Sequence, residues 1–192
     1  MKNLMRVFLL ITVLTLAACG GNKVETTMNE PVEDFEATTQ DGDTLTRDDL
    51  KGQWWVADFI FTNCTTVCLP MTSNMKKLQD KLEEAGVENY HLVSFSVDPE
   101  RDSPEVLKQY AEDYGADLSN WTFLTGYEFD YIKDLAVNSF KNLVAAPAEG
   151  DDQIMHASYF FLVNPDGEVI KNYSGTEADE MDQIVEDLKN LQ

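Results

Sequence analysis

The sequence predicts an α/β fold: a central mixed sheet flanked by helices, with a β-hairpin extension on its N-terminal side. Three observations carry this. Strand-length apolar runs and helical patterns follow one another in the order β-α-β-α-β-α-β-β-α, which favours a sheet with helices on both faces. The run at 54–61 (WWVADFIF) is apolar, β-branched and aromatic, the character of a central strand. Hydrophobic residues are 43% of the 192 and aromatics 10%, enough for a packed core and too many for a disordered acidic chain.

The first segment reads as an address. Lys2 and Arg6 give a positive start, residues 7–16 are almost wholly apolar, and Ala17-Ala18-Cys19-Gly20 follows. This is the three-part order of a secretory signal. The apolar stretch is shorter than the roughly 20 residues a membrane-spanning helix needs. Residues 20–30 are polar and without periodicity, a flexible tether. The chain therefore divides into a signal segment at 1–18, a tether at 19–30 and one domain at 31–192.

Within the domain, Phe35, the turn Gln40-Asp41-Gly42-Asp43 and Thr44-Leu45 form a short hairpin, and the strand at 54–61 follows. After Thr62-Asn63 the chain turns into a helix over about 66–85. Met71, Met75, Leu78 and Leu82 share its apolar face, and Gly86 ends it. Residues 90–97 (YHLVSFSV) form the next strand. Ser103 caps a helix that begins with Pro104 and ends near Gly115. A strand at 121–125, a helix at 127–140, a long irregular loop at 141–157, a strand at 158–163, the turn Asn164-Pro165-Asp166-Gly167, its hairpin partner at 168–173 and an amphipathic helix at 179–191 complete the chain.

Charge narrows the function. Lys and Arg number 14 against 35 Asp and Glu, a formal charge of −21. So acidic a surface does not track a phosphate backbone, and nucleic acid is excluded as a partner. The acidity itself reads as a solvated surface, since net charge bears mainly on solubility.

The three cysteines are Cys19, Cys64 and Cys68. Cys64 and Cys68 are four apart, so on a helix they share a face and their sulfurs converge. They can form a disulfide, structural or reactive, or surround a soft metal ion. The pair follows the first central strand directly and opens a helix, which is where thioredoxin-like folds keep theirs. A helix N-terminus favours the thiolate, which is both nucleophile and metal ligand. Thiol–disulfide exchange of the thioredoxin type uses Cys-x-x-Cys; Cys64-Thr65-Thr66-Val67-Cys68 is one residue longer. Two adjacent thiolates suit a thiophilic ion, and Cu(I) is the natural choice in an oxidising exterior.

A third ligand has two histidine candidates. His91 lies inside a strand and reads as a packed or edge residue. His156 ends the long loop, just before the 158–163 strand, whose start faces the cysteine helix in a thioredoxin-like sheet. It is either a surface histidine or the nitrogen of an S₂N site. Met71 and Met75 read as core, and Met155 as a weak soft donor.

Three separated motifs now occur in order: Phe61-Thr62-Asn63-Cys64-Thr65-Thr66-Val67-Cys68, Ser96-Val97-Asp98-Pro99-Glu100-Arg101-Asp102, and His156 before SYFFLVNPDG. Together they resemble the Sco/SenC family, over about residues 31–192. The resemblance implies a membrane-tethered, thioredoxin-like copper metallochaperone for assembly of the Cu-A centre of cytochrome c oxidase. It implies Cys64, Cys68 and His156 as ligands to Cu(I) or Cu(II), and the oxidase subunit carrying Cu-A as partner. Asp98 belongs to the matching acidic loop and is not taken as a ligand. Leu16-Ala17-Ala18-Cys19 resembles a bacterial lipobox, which implies lipid on Cys19, cleavage before it, and anchoring at the extracytoplasmic face of the cell membrane; otherwise Cys19 is incidental to a plain signal peptide. Two departures stand out: Leu69 separates Cys68 from Pro70, where the family has proline directly after the second cysteine, and Ala157 separates His156 from Ser158. Neither removes a donor atom.

On this reading the chain is a carrier rather than an enzyme. The alternative is a thiol–disulfide oxidoreductase that keeps oxidase cysteines reduced, with Cys64 attacking and Cys68 resolving, so that the same two residues cycle through a disulfide. A peroxiredoxin is disfavoured, because Ala57 and Phe61 stand where Pro-x-x-x-Thr-x-x-Cys needs proline and threonine.

Overall fold

The computed structural model describes residues 24–65 and 68–192. The signal segment at 1–18, Cys19 and the start of the tether lie outside the described residues. In chain order the strands are β1 (Glu30–Pro31), β2 (Glu36–Thr39), β3 (Thr44–Thr46), β4 (Trp54–Ile60), β5 (Tyr90–Ser96), β6 (Trp121–Thr125), β7 (Val144–Ala145), β8 (Met155–His156), β9 (Tyr159–Val163) and β10 (Glu168–Ser174). The α-helices are α1 (Cys68–Glu84), α2 (Pro104–Asp113), α3 (Phe129–Phe140) and α4 (Glu180–Leu191).

The main sheet is mixed, in the order β1-β10-β9-β4-β5-β6-β2-β3. β4, β5 and β6 are parallel neighbours, and the helices α1 and α2 make the crossovers that parallel pairing requires. β9 runs antiparallel to β4, with Trp55 opposite Val163 and Ala57 opposite Phe161. The start of β9 therefore lies at the end of β4, where the cysteine loop begins.

The alternation of β4 explains the two-sided core. Trp55, Ala57 and Phe59 enter a layer closed by Ile132, Leu135 and Phe140 of α3 and by Phe35 of the N-terminal segment. Val56 and Ile60 enter the opposite layer, against α1, α2 and α4. Met71, Met75, Leu78 and Leu82 of α1 are fully buried there, each contributing about 1.5–3 kcal/mol from removal from water. The two methionines are core, as their spacing indicates.

The hairpin is β2–β3, and Gly42 takes φ +85° in its turn, a conformation that suits the Asp41-Gly42 pair. The hairpin joins the sheet through β2 against β6. Ser103 caps α2 by accepting the Val106 N–H, and Pro104 is its first residue. Pro70 sits in the first turn of α1, where its missing N–H costs no helical bond, and Leu69 is exposed.

Two differences from the sequence-based expectation concern weakly patterned segments. The loop at 141–157 is not wholly irregular: β7 and β8 pair within it, Val144 opposite His156 and Ala145 opposite Met155. Two-residue strands carry no periodicity to read. The sheet also begins early. Glu30 and Pro31 pair with β10, and the Thr27 and Met28 amides both donate to the Ile170 carbonyl, so the sheet takes in the last residues of the 19–30 stretch.

Candidate metal centre

The cysteine loop leaves the carboxyl end of β4 and is held from below by a buried carboxylate. Asp102 is fully buried. It accepts the Thr62 N–H at 3.2 Å, the Thr62 hydroxyl at 2.6 Å and the Ser96 hydroxyl at 2.6 Å. Burial raises its pKa, and those donors oppose the rise. The second motif thus grips the first at Thr62, two positions ahead of Cys64. Asp98 in the same loop pairs with Arg101 at 2.7 Å.

Cys64 and Cys68 are both buried and are not joined by a disulfide. The Cys68 N–H, at the first position of α1, donates to the Cys64 sulfur at 3.3 Å. An amide at a helix N-terminus stabilises negative charge on that sulfur. Cys68 is in the opposite situation: burial pushes its thiol far up, and the Cys64 sulfur and the Asp58 carboxyl push the same way. Cys68 therefore holds its proton until something displaces it.

His156 lies beside this pair. Its Nε2 is 3.5 Å from the Cys68 sulfur, across 88 residues of chain. Its Nδ1 is 3.1 Å from the Ala157 carbonyl. A carbonyl only accepts, so Nδ1 carries the proton and Nε2 presents its lone pair to the sulfur. The ring meets Phe61 edge-on at 5.9 Å, and Ala157 is held by its N–H to the Asn142 side chain at 3.2 Å. Backbone partners on one ring nitrogen are how proteins orient an imidazole ligand.

Among the described residues no three His, Cys, Asp or Glu side chains are gathered as a finished cage. The arrangement is half built: one S···N contact is made, and the second sulfur is engaged with the Cys68 amide. Its donors are two sulfurs and one nitrogen. That set fits a soft ion content with three ligands, and fits poorly a hard cation that wants oxygen.

The other candidates separate. His91 is half-buried and bonded to the Thr122 hydroxyl at 2.8 Å, a packed residue as expected. Met155 is 63% exposed. Cys19 lies outside the described residues.

Sequence reasoning missed two groups. Asp58 is a carboxylate in the middle of β4, fully buried, and among the described residues neither oxygen has a hydrogen-bond partner of good geometry. Burial pushes it up to about 7; the Ser94 hydroxyl and the His156 imidazole offset this only in part. The signal was present as the one acid inside WWVADFIF. Gln153 was the other: its side chain bonds the Asn63 carbonyl and the Thr65 N–H on either side of Cys64, and nothing in a polar loop distinguishes it.

The SCO1/SenC family model matches residues 23–192. The SCO1 protein homolog of Bacillus subtilis (strain 168) is 47% identical over 177 residues, 92% of this chain and 91% of that one. The structure of BsSco, described as a member of the Sco family of cytochrome c oxidase assembly proteins with a disulfide switch, superposes with a TM-score of 0.78 at 47% identity, covering 86% of this chain and 95% of that chain. Arabidopsis thaliana ScoI with copper bound shares the fold, with a TM-score of 0.70 at 24% identity over 82% of this chain and 97% of that chain.

Proposed function

The chain belongs to the SCO1/SenC family, and from that premise we propose that it is a copper metallochaperone for the Cu-A centre of cytochrome c oxidase, holding copper on Cys64, Cys68 and His156. The observation that carries this is the Nε2–sulfur contact of 3.5 Å between His156 and Cys68, with the imidazole proton committed to Ala157. Copper is cargo. Binding replaces the Cys68 proton with the metal, and release proceeds by ligand exchange, each incoming thiolate or imidazole of the oxidase subunit taking the place of one donor. The copper-bound relative and the oxidase-assembly relative support this direction. The lipobox-like Leu16-Ala17-Ala18-Cys19 supports a lipid anchor on Cys19 at the extracytoplasmic face of the cell membrane, from which the polar tether reaches the oxidase. No helix among the described residues is long and apolar enough to cross a membrane.

Copper titration of the reduced full-length protein in detergent, beside His156→Ala, tests the ligand set. Affinity is expected to fall roughly 100-fold or more in the variant, beyond the roughly 10–100-fold typical of losing a supporting residue. Equal affinity removes His156 from the centre.

A second reading is favoured by the amide on the Cys64 sulfur. On this reading the Cys64 thiolate would attack a partner disulfide, and Cys68, four residues on, would resolve it. The two thiols would give up two electrons and two protons to the partner and close as a Cys64–Cys68 disulfide. A role that first reduces oxidase cysteines and then loads copper uses the same atoms in sequence.

A further inference from the structure

His156 is brought to the cysteines by a loop with little regular structure, and one side chain in that loop bridges the gap directly. The Gln153 side-chain N–H donates to the Asn63 carbonyl at 3.1 Å. Its side-chain oxygen accepts the Thr65 N–H at 3.2 Å and the Thr65 hydroxyl at 3.4 Å. Asn63 and Thr65 are the neighbours of Cys64, so one amide occupies a backbone group on each side of it. The amide's orientation is set by a second donation, to Asp152 Oδ1 at 2.9 Å. Asn63 Nδ2 in turn donates to Asp152 Oδ2 at 2.8 Å. Next in the chain, Ile154 is buried in the same apolar layer as Cys64 and Cys68. Residues 152, 153 and 154 are thus all fastened to the cysteine loop or the layer beneath it, with only Met155 between them and His156.

We propose that Gln153 is a positioning residue of the copper site: its amide clamps the histidine-bearing loop to the backbone flanking Cys64, so that the imidazole is preset against Cys68 before copper arrives. This rests on the copper reading above. A ligand set drawn from two distant stretches otherwise pays for ordering the loop on each binding event, and a clamp formed beforehand removes that cost. Gln153 is only half-buried, so when the loop opens its amide finds water, and its contribution to global stability is small.

The test uses reduced full-length protein, with Cu(I) titrated against a chromophoric chelator and the Cu(II) complex followed by EPR. Gln153→Ala is expected to weaken copper about tenfold and to diminish the imidazole nitrogen coupling, while the melting temperature of the metal-free protein stays within about 2 °C. Gln153→Glu keeps the shape but sets an acceptor against the Asn63 carbonyl, and it is expected to weaken copper to a similar extent. In a His156→Ala background, Gln153→Ala is expected to cost nothing more. Wild-type affinity and nitrogen coupling in both Gln153 variants would overturn the clamp while leaving the copper reading intact. So would a tenfold loss that persists undiminished in the His156→Ala background. Unchanged copper affinity in His156→Ala alone would overturn the ligand assignment, and the clamp with it.

Discussion

Thr62 and Asp102 are joined by hydrogen bonds from both the backbone N–H and the hydroxyl of the threonine to one buried carboxylate, across 40 residues of chain. Asp102 therefore serves as the floor of the cysteine loop. Replacing it with alanine leaves the Thr62 N–H, the Thr62 hydroxyl and the Ser96 hydroxyl without their acceptor. Each buried donor left unpaired costs about 1–3 kcal/mol. Asp102→Ala is expected to lose about 3 kcal/mol or more in urea unfolding, and stability near wild type would show that the loop is held elsewhere.

Copper uptake is expected to release protons. Burial keeps the Cys68 thiol protonated well above neutrality, and a metal ligand must be the thiolate. At pH 7 at least one proton should appear in solution per copper bound, measurable by calorimetry in buffers of different ionisation enthalpy. Apparent affinity should rise about tenfold per pH unit for each proton displaced. Affinity independent of pH would mean that Cys68 does not bind as a thiolate.

Asp58 gives the fold a distinct pH response. Its carboxyl is held at about 7 against an ordinary value of 3.8, so the fold binds this proton more tightly than the unfolded chain does. Its contribution is full below about pH 4, declines as pH rises toward 7, and is gone above that. The span corresponds to at most about 4 kcal/mol. Asp58→Asn should remove this decline, so that the stability difference between variant and wild type grows in the variant's favour between pH 4 and pH 8. Parallel pH–stability curves would mean that Asp58 does not titrate in this range.

The hairpin edge has its own sensitive point. Gly126, just after β6, has φ +84°, and a Cβ there would lie 2.4 Å from the Thr38 hydroxyl oxygen and 2.8 Å from Thr38 Cβ. Both the backbone conformation and the space exclude a side chain. Gly126→Ala is expected to cost about 2–4 kcal/mol and to loosen β2–β3, seen as faster amide exchange at Ala37 and Thr38. Unchanged exchange and stability would show that Thr38 yields without cost.

Much of the fold was legible because its elements are strongly patterned. The central strand at β4, the apolar stripe of α1, the Ser103–Pro104 start of α2 and the Asp41-Gly42 turn each express a local rule. The short pairs β1–β10 and β7–β8 were not legible, since they exist only because a distant or neighbouring segment of the same chain offers free backbone groups. Cys64, Cys68 and His156 were readable as donor types, and their order along the chain carried the family. Asp102 was visible only as part of a motif, its role hidden until Thr62 lay above it.

By itself the sequence determined the chemistry available to this protein: two soft sulfurs four residues apart at a helix start, one imidazole before a late strand, and a core large enough to hold them. Side-chain identity and local periodicity are properties of short stretches, and short stretches suffice to state them. Only the tertiary structure decided that β9 runs antiparallel to β4, which puts His156 at the mouth of the cysteine loop. Only it decided that Asp58 is sealed from water and that Gln153 reaches both neighbours of Cys64. Those outcomes depend on which distant segments share a sheet and which atoms lose their water, and no single stretch of sequence contains that information.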